Sequence, residues 1–294
     1  MPVIDAGATE TDPETTRTAV TQIFTTVAAT TPAIRDALGS NRHAVDSTNP
    51  SGEIQLAADT FTDRVLEERL LALEGVGAYA SEEREGVIGD GDGLSVAVDP
   101  LDGSGNLASN NGLGTVVGIY DAPLPAAGAD LIAAAVVTFG PTTVMITARN
   151  DTVTEYLVEG GTPTVLRSDV TLPDEPSIFA LGGREWEWDA DFQAFADAIR
   201  SQYKLRYTGA VIMDLPRILE NGGIYAYPSV SSHPNGKPRH QFEAVPVSYI
   251  VEAAGGASSD ESGSLLSSAV DDLHARSPLA IGNESLVERF EDAR

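Results

Sequence analysis

The chain has 294 residues, 18 basic and 44 acidic, for a formal charge of −26, and it has no cysteine. The lack of Cys excludes a disulfide scaffold, a thiol nucleophile and a zinc–thiolate site, and 42% hydrophobic residues exclude a disordered chain. A field this negative repels nucleic acid and anionic membranes, so neither is an expected partner. The acids are spread along the whole chain, as adaptation to molar intracellular salt requires, where the Debye length falls to ~3 Å. No run approaches the ~18 apolar residues of a membrane span. The start, MPVIDAGATETDPETTRT, lacks the basic end and apolar core of a secretory signal, so the expected compartment is the cytoplasm.

Residues 14–38 read as helical, with Val20, Ile23, Phe24 and Val27 at three- and four-residue spacing and Asp12-Pro13-Glu14 as the start signal. Thr31-Pro32 is expected to split that stretch into two helices. Residues 41–53 cluster Asn, Pro, Ser and Gly and read as a loop. Phe61, Val65, Leu66, Leu70 and Leu73 predict an amphipathic helix closed near Gly75 and Gly77. The period then changes to two: Leu94, Val96 and Val98 alternate with Ser95 and Ala97, predicting a strand that ends at Asp99. Residues 115–120, 132–139, 142–148 and 153–158 predict further strands, with Asn150-Asp151 as a hairpin turn. Residues 159–177 hold two Gly and three Pro, which places a domain boundary near 172–176 and divides the chain into 1–173 and 174–294. The second half alternates: helix 189–203, strand 205–207, helix 211–220, strand 223–227, helix 244–254, a strand near 279–282 and helix 285–292. That alternation predicts α/β layering. The four His residues, 43, 233, 240 and 274, are scattered without ligand spacing and read as surface.

The segment 94–106, LSVAVDPLDGSGN, carries the sharpest chemistry. A strand delivers Asp99 to its C-terminal end, Pro100 fixes the turn, and Asp102 follows. Two carboxylates on one tight turn, with the Leu101 carbonyl between them, make a hard-oxygen site that suits Mg²⁺ or Mn²⁺. Gly103-Ser104-Gly105-Asn106 then supplies small residues whose backbone N–H groups can converge on an anion. Glu82-Glu83, and Glu53 with Asp59, are further acidic candidates that carry little alone. Only two Lys residues occur, Lys204 and Lys237.

DPLDGSGN resembles the signature of the class I fructose-1,6-bisphosphatases, within the lithium-sensitive, metal-dependent sugar phosphatases. SEE (81–83), GEIQLAAD (52–59), RYTG (206–209), GGIYAYP (222–228), PNGKPR (234–239), FEAVPVSYIVEAAGG (242–256) and SPLAIGN (277–283) fall in the family's order. The resemblance implies a layered α/β/α/β/α sandwich of two domains with the active site at their junction. It implies hydrolysis of the 1-phosphate of fructose 1,6-bisphosphate, serving gluconeogenesis, with two or three Mg²⁺ per site. Glu82, Asp99, Asp102 and Glu243 match metal ligands, with the Leu101 carbonyl. Asp59 and Glu83 match the pair that takes the proton of the attacking water, and Glu53 matches a flexible-loop acid. Gly103, Ser104 and Gly105 match the cradle of the phosphate being removed. Tyr207, Tyr227, Lys237 and Arg239 match substrate residues. Arg206 matches an Arg that reaches a neighbouring subunit's site, which implies a homo-oligomer, a dimer or tetramer.

The chain also departs from the family. Gly182-Gly183-Arg184 stands where the family has Asn-Glu-Gly, so an Asn donor to the second phosphate is missing and Arg184 is a candidate replacement. Gly105 removes a signature hydroxyl. Gly93 and Leu94 stand where the animal enzymes place a Lys-Tyr pair that holds AMP, so that regulation is not expected. Three other readings compete: an inositol-monophosphatase-like enzyme, a broader sugar bisphosphatase acting also on sedoheptulose 1,7-bisphosphate, and an inactive sugar-phosphate sensor. The first expects a Trp-Asp motif where this chain has Phe242-Glu243. The last expects a lost carboxylate, and none is lost.

Overall fold

A computed structural model describes residues 13–89 and 91–294. Residues 1–12, with Asp12 of the predicted start signal, and Asp90 lie outside the described residues. The chain opens with helix α1 (Pro13–Ser40), strands β1 (Ala44–Thr48) and β2 (Ile54–Leu56), and helix α2 (Ala57–Leu70). Strands β3 (Val76–Ser81), β4 (Ile88–Gly89), β5 (Leu94–Asp102), β6 (Leu113–Tyr120), β7 (Leu131–Phe139), β8 (Thr143–Arg149), β9 (Thr152–Glu159) and β10 (Thr162–Arg167) follow. They form one eight-stranded sheet, in the order β10-β9-β8-β7-β6-β5-β3-β4. The second half contributes β11 (Ile178–Leu181), α3 (Ala190–Arg200), β12 (Lys204–Leu205), α4 (Val211–Asn221), β13 (Gly223–Tyr227), α5 (Val245–Ala253), β14 (Ala257–Ser259), β15 (Leu279–Gly282) and α6 (Glu284–Glu291). Its five strands form a sheet in the order β12-β11-β13-β15-β14. Among the described residues no helix is long and apolar enough to cross a membrane.

Period-two alternation sorts the central strands onto two faces. Val117 and Ile119 of β6 enter one core with Val96 and Val98 of β5 and with Ile23, Val27 and Leu66 of α1 and α2. Val116 and Tyr120 enter the opposite core, with Ile212, Leu215, Val247 and Ile250 of α4 and α5 and with Tyr225 and Ile281 of the smaller sheet. A third core on the far face of that sheet joins Phe179 and Ile224 to Phe192, Phe195 and Phe290. The layers are therefore helices, large sheet, helices, small sheet, helices, the expected α/β/α/β/α sandwich. Because both faces of the large sheet are covered, its inner strands read as nearly continuous apolar runs.

Several local expectations are corrected. Helix α1 runs unbroken through Pro32. Proline removes the N–H that would serve the Ala28 carbonyl, and the Thr31 hydroxyl donates to that carbonyl instead, at 2.9 Å. The predicted loop at 41–53 is mostly a hairpin, β1 paired antiparallel with β2. Its turn is built on Asn49, whose Oδ1 accepts from the N–H groups of Ser51 and Glu53. Helix α2 stops at Leu70, short of Leu73, and Gly77 lies inside strand β3. Part of the predicted linker, 162–167, is edge strand β10. His240 is buried, with Nε2 3.2 Å from Ser268 Oγ, and half-buried His274 places Nε2 2.7 Å from the Arg84 carbonyl. Neither is a surface histidine.

Candidate active site

A cavity of about 270 Å³ opens where the two halves meet. Its floor is the end of β5. Asp99, Asp102 and Glu243 each present a carboxylate oxygen, and these atoms lie within 4.8 Å of one another. Asp99 and Asp102 come from the predicted turn, and Glu243 from a π-helical turn, His240–Ala244, that leads into α5. Asp99 Oδ1 accepts from the Leu101 N–H at 2.9 Å, and Asp102 Oδ2 accepts from the Ile212 N–H at 2.8 Å. Burial, then the neighbouring carboxylates, pushes Asp99 and Glu243 well above the ordinary carboxylate range. Asp102 rises to about 6, first through burial. Three carboxylates this close, Asp99 and Asp102 buried and Glu243 half-buried, are mutually repulsive unless a cation or protons intervene, and the all-oxygen donor set fits a hard divalent ion.

Glu82, at the end of β3, stands beside this trio. Its Oε1 accepts from Arg239 Nε at 3.1 Å, and it shares a hydrogen bond with Asp99. Arg239 is 1% exposed, its Nη2 also lies 3.3 Å from Glu53 Oε2, and its backbone N–H is bonded to Glu243. Neither terminal nitrogen of Arg239 finds a hydrogen bond among the described residues. A guanidinium on the wall with unsatisfied N–H groups fits an anionic guest.

Asp59 occupies the first turn of α2 and reaches back to the Leu56 N–H through Oδ2, at 2.7 Å. Its Oδ1 is buried with no partner among the described residues, and burial raises the group to about 6. Glu83 is raised to about 8, again first by burial, while Gln55 donates to its Oε2 at 2.6 Å. Both acids line the cavity.

Lys237, Tyr227 and Tyr207 also line the cavity. The Lys237 ammonium sits 5.9 Å above the Tyr227 ring. Tyr207 stacks on Tyr225 with ring centres 6.4 Å apart. Gly103 sits at φ 77°, and a Cβ there would meet Ala210 at 2.5 Å, so this turn admits only glycine. Gly103, Ser104 and Gly105 line the cavity beside Asp102.

The structure thus gathers Glu53, Asp59, Glu82, Glu83, Asp99, Leu101, Asp102, Gly103, Ser104, Gly105, Tyr207, Tyr227, Lys237, Arg239 and Glu243 into one cavity. It does not bring Arg206 there. That side chain is exposed and lines a separate surface depression with Lys204 and Arg217. Arg184 is also exposed and stacks on Trp186, 5.4 Å from its ring centre. The Tyr227 ring packs against Gly182: a Cβ there would lie 2.0 Å from its Cδ2, so an Asn in this place would require the ring to shift. Leu94 is a buried core residue, unavailable to a nucleotide. Sequence reasoning gave no role to Arg276, which donates to Glu53 Oε1 at 3.1 Å and to the Lys237 carbonyl. It also passed over Asn49 and Gln55. Their partners are set by the hairpin, whose sequence reads as a loop.

Residues 14–163 match the family model for the N-terminal domain of fructose-1-6-bisphosphatase, and residues 172–294 match that for its C-terminal domain. The class 1 fructose-1,6-bisphosphatase of Natronomonas pharaonis is 49% identical over 278 residues, 94% of this chain and 98% of its own length. That of Halobacterium salinarum is 46% identical over 274 residues, 92% of this chain and 96% of its own. One from Haloarcula marismortui is 46% identical over 272 residues, 92% and 94%. All three come from halophiles, in keeping with the acid surplus. The holo structure of Leishmania major fructose-1,6-bisphosphatase shares the fold, with TM-score 0.88 at 24% identity over 96% of this chain and 95% of that one. With both domains matched and nearly half of all aligned positions identical, the chain belongs to the class 1 fructose-1,6-bisphosphatase family.

Proposed function

We propose that this protein hydrolyses the 1-phosphate of fructose 1,6-bisphosphate, giving fructose 6-phosphate and inorganic phosphate. The observation that carries the reading is the presence, in one cavity, of a close carboxylate trio and the cations Lys237 and Arg239. Asp99, Asp102 and Glu243, with Glu82 and the Leu101 carbonyl, would hold two or three Mg²⁺, or Mn²⁺. A divalent ion there supplies charge stabilisation at the scissile phosphate and lowers the pKa of an attacking water.

The chain's own groups do the rest. The backbone N–H groups of Ser104 and Gly105, on the turn after Asp102, receive the phosphate being removed. Asp59 and Glu83 orient the water and take its proton. Asp59 offers an oxygen with no other partner, and Glu83 offers a carboxylate held in place by the Gln55 amide. Glu53 closes the hairpin over the site through Arg239 and Arg276. Lys237 and Arg239 neutralise the phosphate that stays, while Tyr207 and Tyr227 flank the sugar and its phosphate. Such a substrate brings about four negative charges, and these two cations answer the −26 field locally.

Arg206, turned away from its own cavity, serves a neighbouring subunit's site in this reading, and the protein is at least a dimer in the cytoplasm. Light scattering in molar KCl checks this; a fully active monomer there contradicts it.

The reaction is tested in ¹⁸O-water, followed by ³¹P NMR. Label in inorganic phosphate, with fructose 6-phosphate as the only sugar product, is the expected result. Label in the sugar, or a retained 1-phosphate, overturns the reading.

A further inference from the structure

Strand β2 has three residues, and its alternation puts Gln55 inside while Ile54 is 69% exposed. Glu53 and Gln55 are two apart and share a face, so one edge of the hairpin makes two separate contacts. Glu53 meets Arg239 and Arg276 of the second half of the chain. Gln55 turns to the first half. Its Nε2 donates to Glu83 Oε2 at 2.6 Å and lies 3.3 Å from the Glu83 carbonyl, while its Oε1 accepts from the Ser47 hydroxyl at 2.7 Å. We propose that Gln55 is a positioning residue for the reaction: it fixes the Glu83 carboxylate through Nε2 and is itself held through Oε1 by Ser47. The inference rests on the reading of Glu83 as an acceptor of the water's proton.

The amide group suits this task for a specific reason. It presents a donor at one end and an acceptor at the other. A flipped amide would set its oxygen against the Glu83 carboxylate and its NH₂ against the Ser47 hydroxyl. The Glu83 carbonyl and its ionised carboxylate only accept, which selects the observed orientation, and the Ser47 hydroxyl then donates to Oε1. Glu83 is then gripped at one carboxylate oxygen and at its own carbonyl, which removes most of the rotational freedom of a flexible side chain. A proton acceptor must sit within a few tenths of an ångström and a few tens of degrees of its productive geometry, so this restraint belongs to the chemistry.

A purely structural role fits less well. The hairpin has its own backbone pairing, Ala44 with Leu56 and Thr48 with Ile54, and its own Asn49 turn. Losing one amide would leave those intact.

The test uses the full chain in molar KCl at saturating Mg²⁺ with fructose 1,6-bisphosphate. Gln55→Leu is expected to lower kcat about 10- to 100-fold, with KM within about threefold of wild type. Ser47→Ala, which removes an exposed hydroxyl and reads the effect even if Gln55→Leu folds poorly, is expected to lower kcat about 3- to 10-fold. Thermal midpoints of both should stay close to wild type. If kcat is retained and the losses appear in KM and the midpoint, Gln55 merely pins the hairpin and the proposal is overturned. Glu83→Gln is measured alongside. Wild-type kcat in that variant overturns the role of Glu83, and this inference with it. An inactive Glu83→Gln beside a wild-type Gln55→Leu overturns the role of Gln55 alone.

Discussion

The Nε of Arg239 lies 3.1 Å from Oε1 of Glu82, and both side chains are buried: a cation from the second half of the chain is inserted among the carboxylates of the first. Breaking such a pair leaves an uncompensated buried charge, which typically costs ~3–5 kcal/mol. Glu82 and Glu53 face this one guanidinium, and Glu243 accepts from the Arg239 backbone N–H. Arg239→Met is therefore expected to lower unfolding stability by about 3 kcal/mol in metal-free protein. With saturating Mg²⁺ the loss should be smaller, because a second source of positive charge then serves the same acids. Denaturant melts in molar KCl, with EDTA or with Mg²⁺, check this. Equal losses under both conditions would place Arg239 outside the electrostatics of the metal site.

Asp99→Asn is expected to lower kcat by about 10³-fold while the fold persists, because the lost carboxylate is central to the cation site and bound cations supply several kcal/mol of charge stabilisation. Steady-state kinetics, with far-UV circular dichroism as the folding control, measure it. Activity within tenfold of wild type would refute the metal assignment.

Lys237→Ala should mainly raise KM. It removes one charge-assisted contact to the phosphate that is not cleaved, worth ~1.5–3 kcal/mol, or about 10- to 150-fold. Lys204→Ala should have almost no effect in a single-chain site, since Lys204 is exposed on β12 and lies away from the cavity. Matching behaviour of the two variants would remove Lys237 from the substrate wall.

Asp59 and Asp102, raised from 3.8 to about 6, and Glu83, raised from 4.5 to about 8, keep protons in the folded state that the unfolded chain gives up at lower pH. Over that window the folded state binds more protons, so stability of the metal-free protein falls as pH rises from about 4 to 8. Cation binding needs the ionised carboxylates and works in the opposite direction. The rise in thermal midpoint on adding Mg²⁺ should therefore be larger at pH 8 than at pH 6, in molar KCl to screen general repulsion. A Mg²⁺ effect that shrinks with rising pH would contradict the carboxylate site.

The parts of this site that were legible in the sequence are those built from neighbours in the chain. Asp99 and Asp102 lie on one turn, and a strand followed by Pro and Gly announces where that turn is. The helices of the second half are legible because most are amphipathic, but two of its five strands, β11 and β14, are not, and β12 ends at Leu205, short of the expected 207. Strand β3 (Val76–Ser81) was hidden because its small residues, buried on both faces, show no alternation. Pro32 misled because its remedy is a single hydroxyl, Thr31, that local rules do not weigh. The hairpin misled because an Asn-Pro-Ser-Gly turn reads the same whether or not strands flank it. Gln55 and Arg276 were invisible for a different reason. Their partners lie 28 and 223 residues away, and neither residue belongs to a pattern that names its contact. His240 was misplaced because one histidine among polar neighbours carries no periodic sign of burial.

The central claim is that this cavity hydrolyses a sugar bisphosphate with the help of a divalent cation. The most direct measurement is phosphate release from fructose 1,6-bisphosphate and from inositol 1-phosphate, each with Mg²⁺ and with EDTA, in molar KCl. The account predicts turnover of fructose 1,6-bisphosphate that needs Mg²⁺ and a far higher kcat/KM than for inositol 1-phosphate. Release that is indifferent to EDTA, or a preference for inositol 1-phosphate, would contradict it.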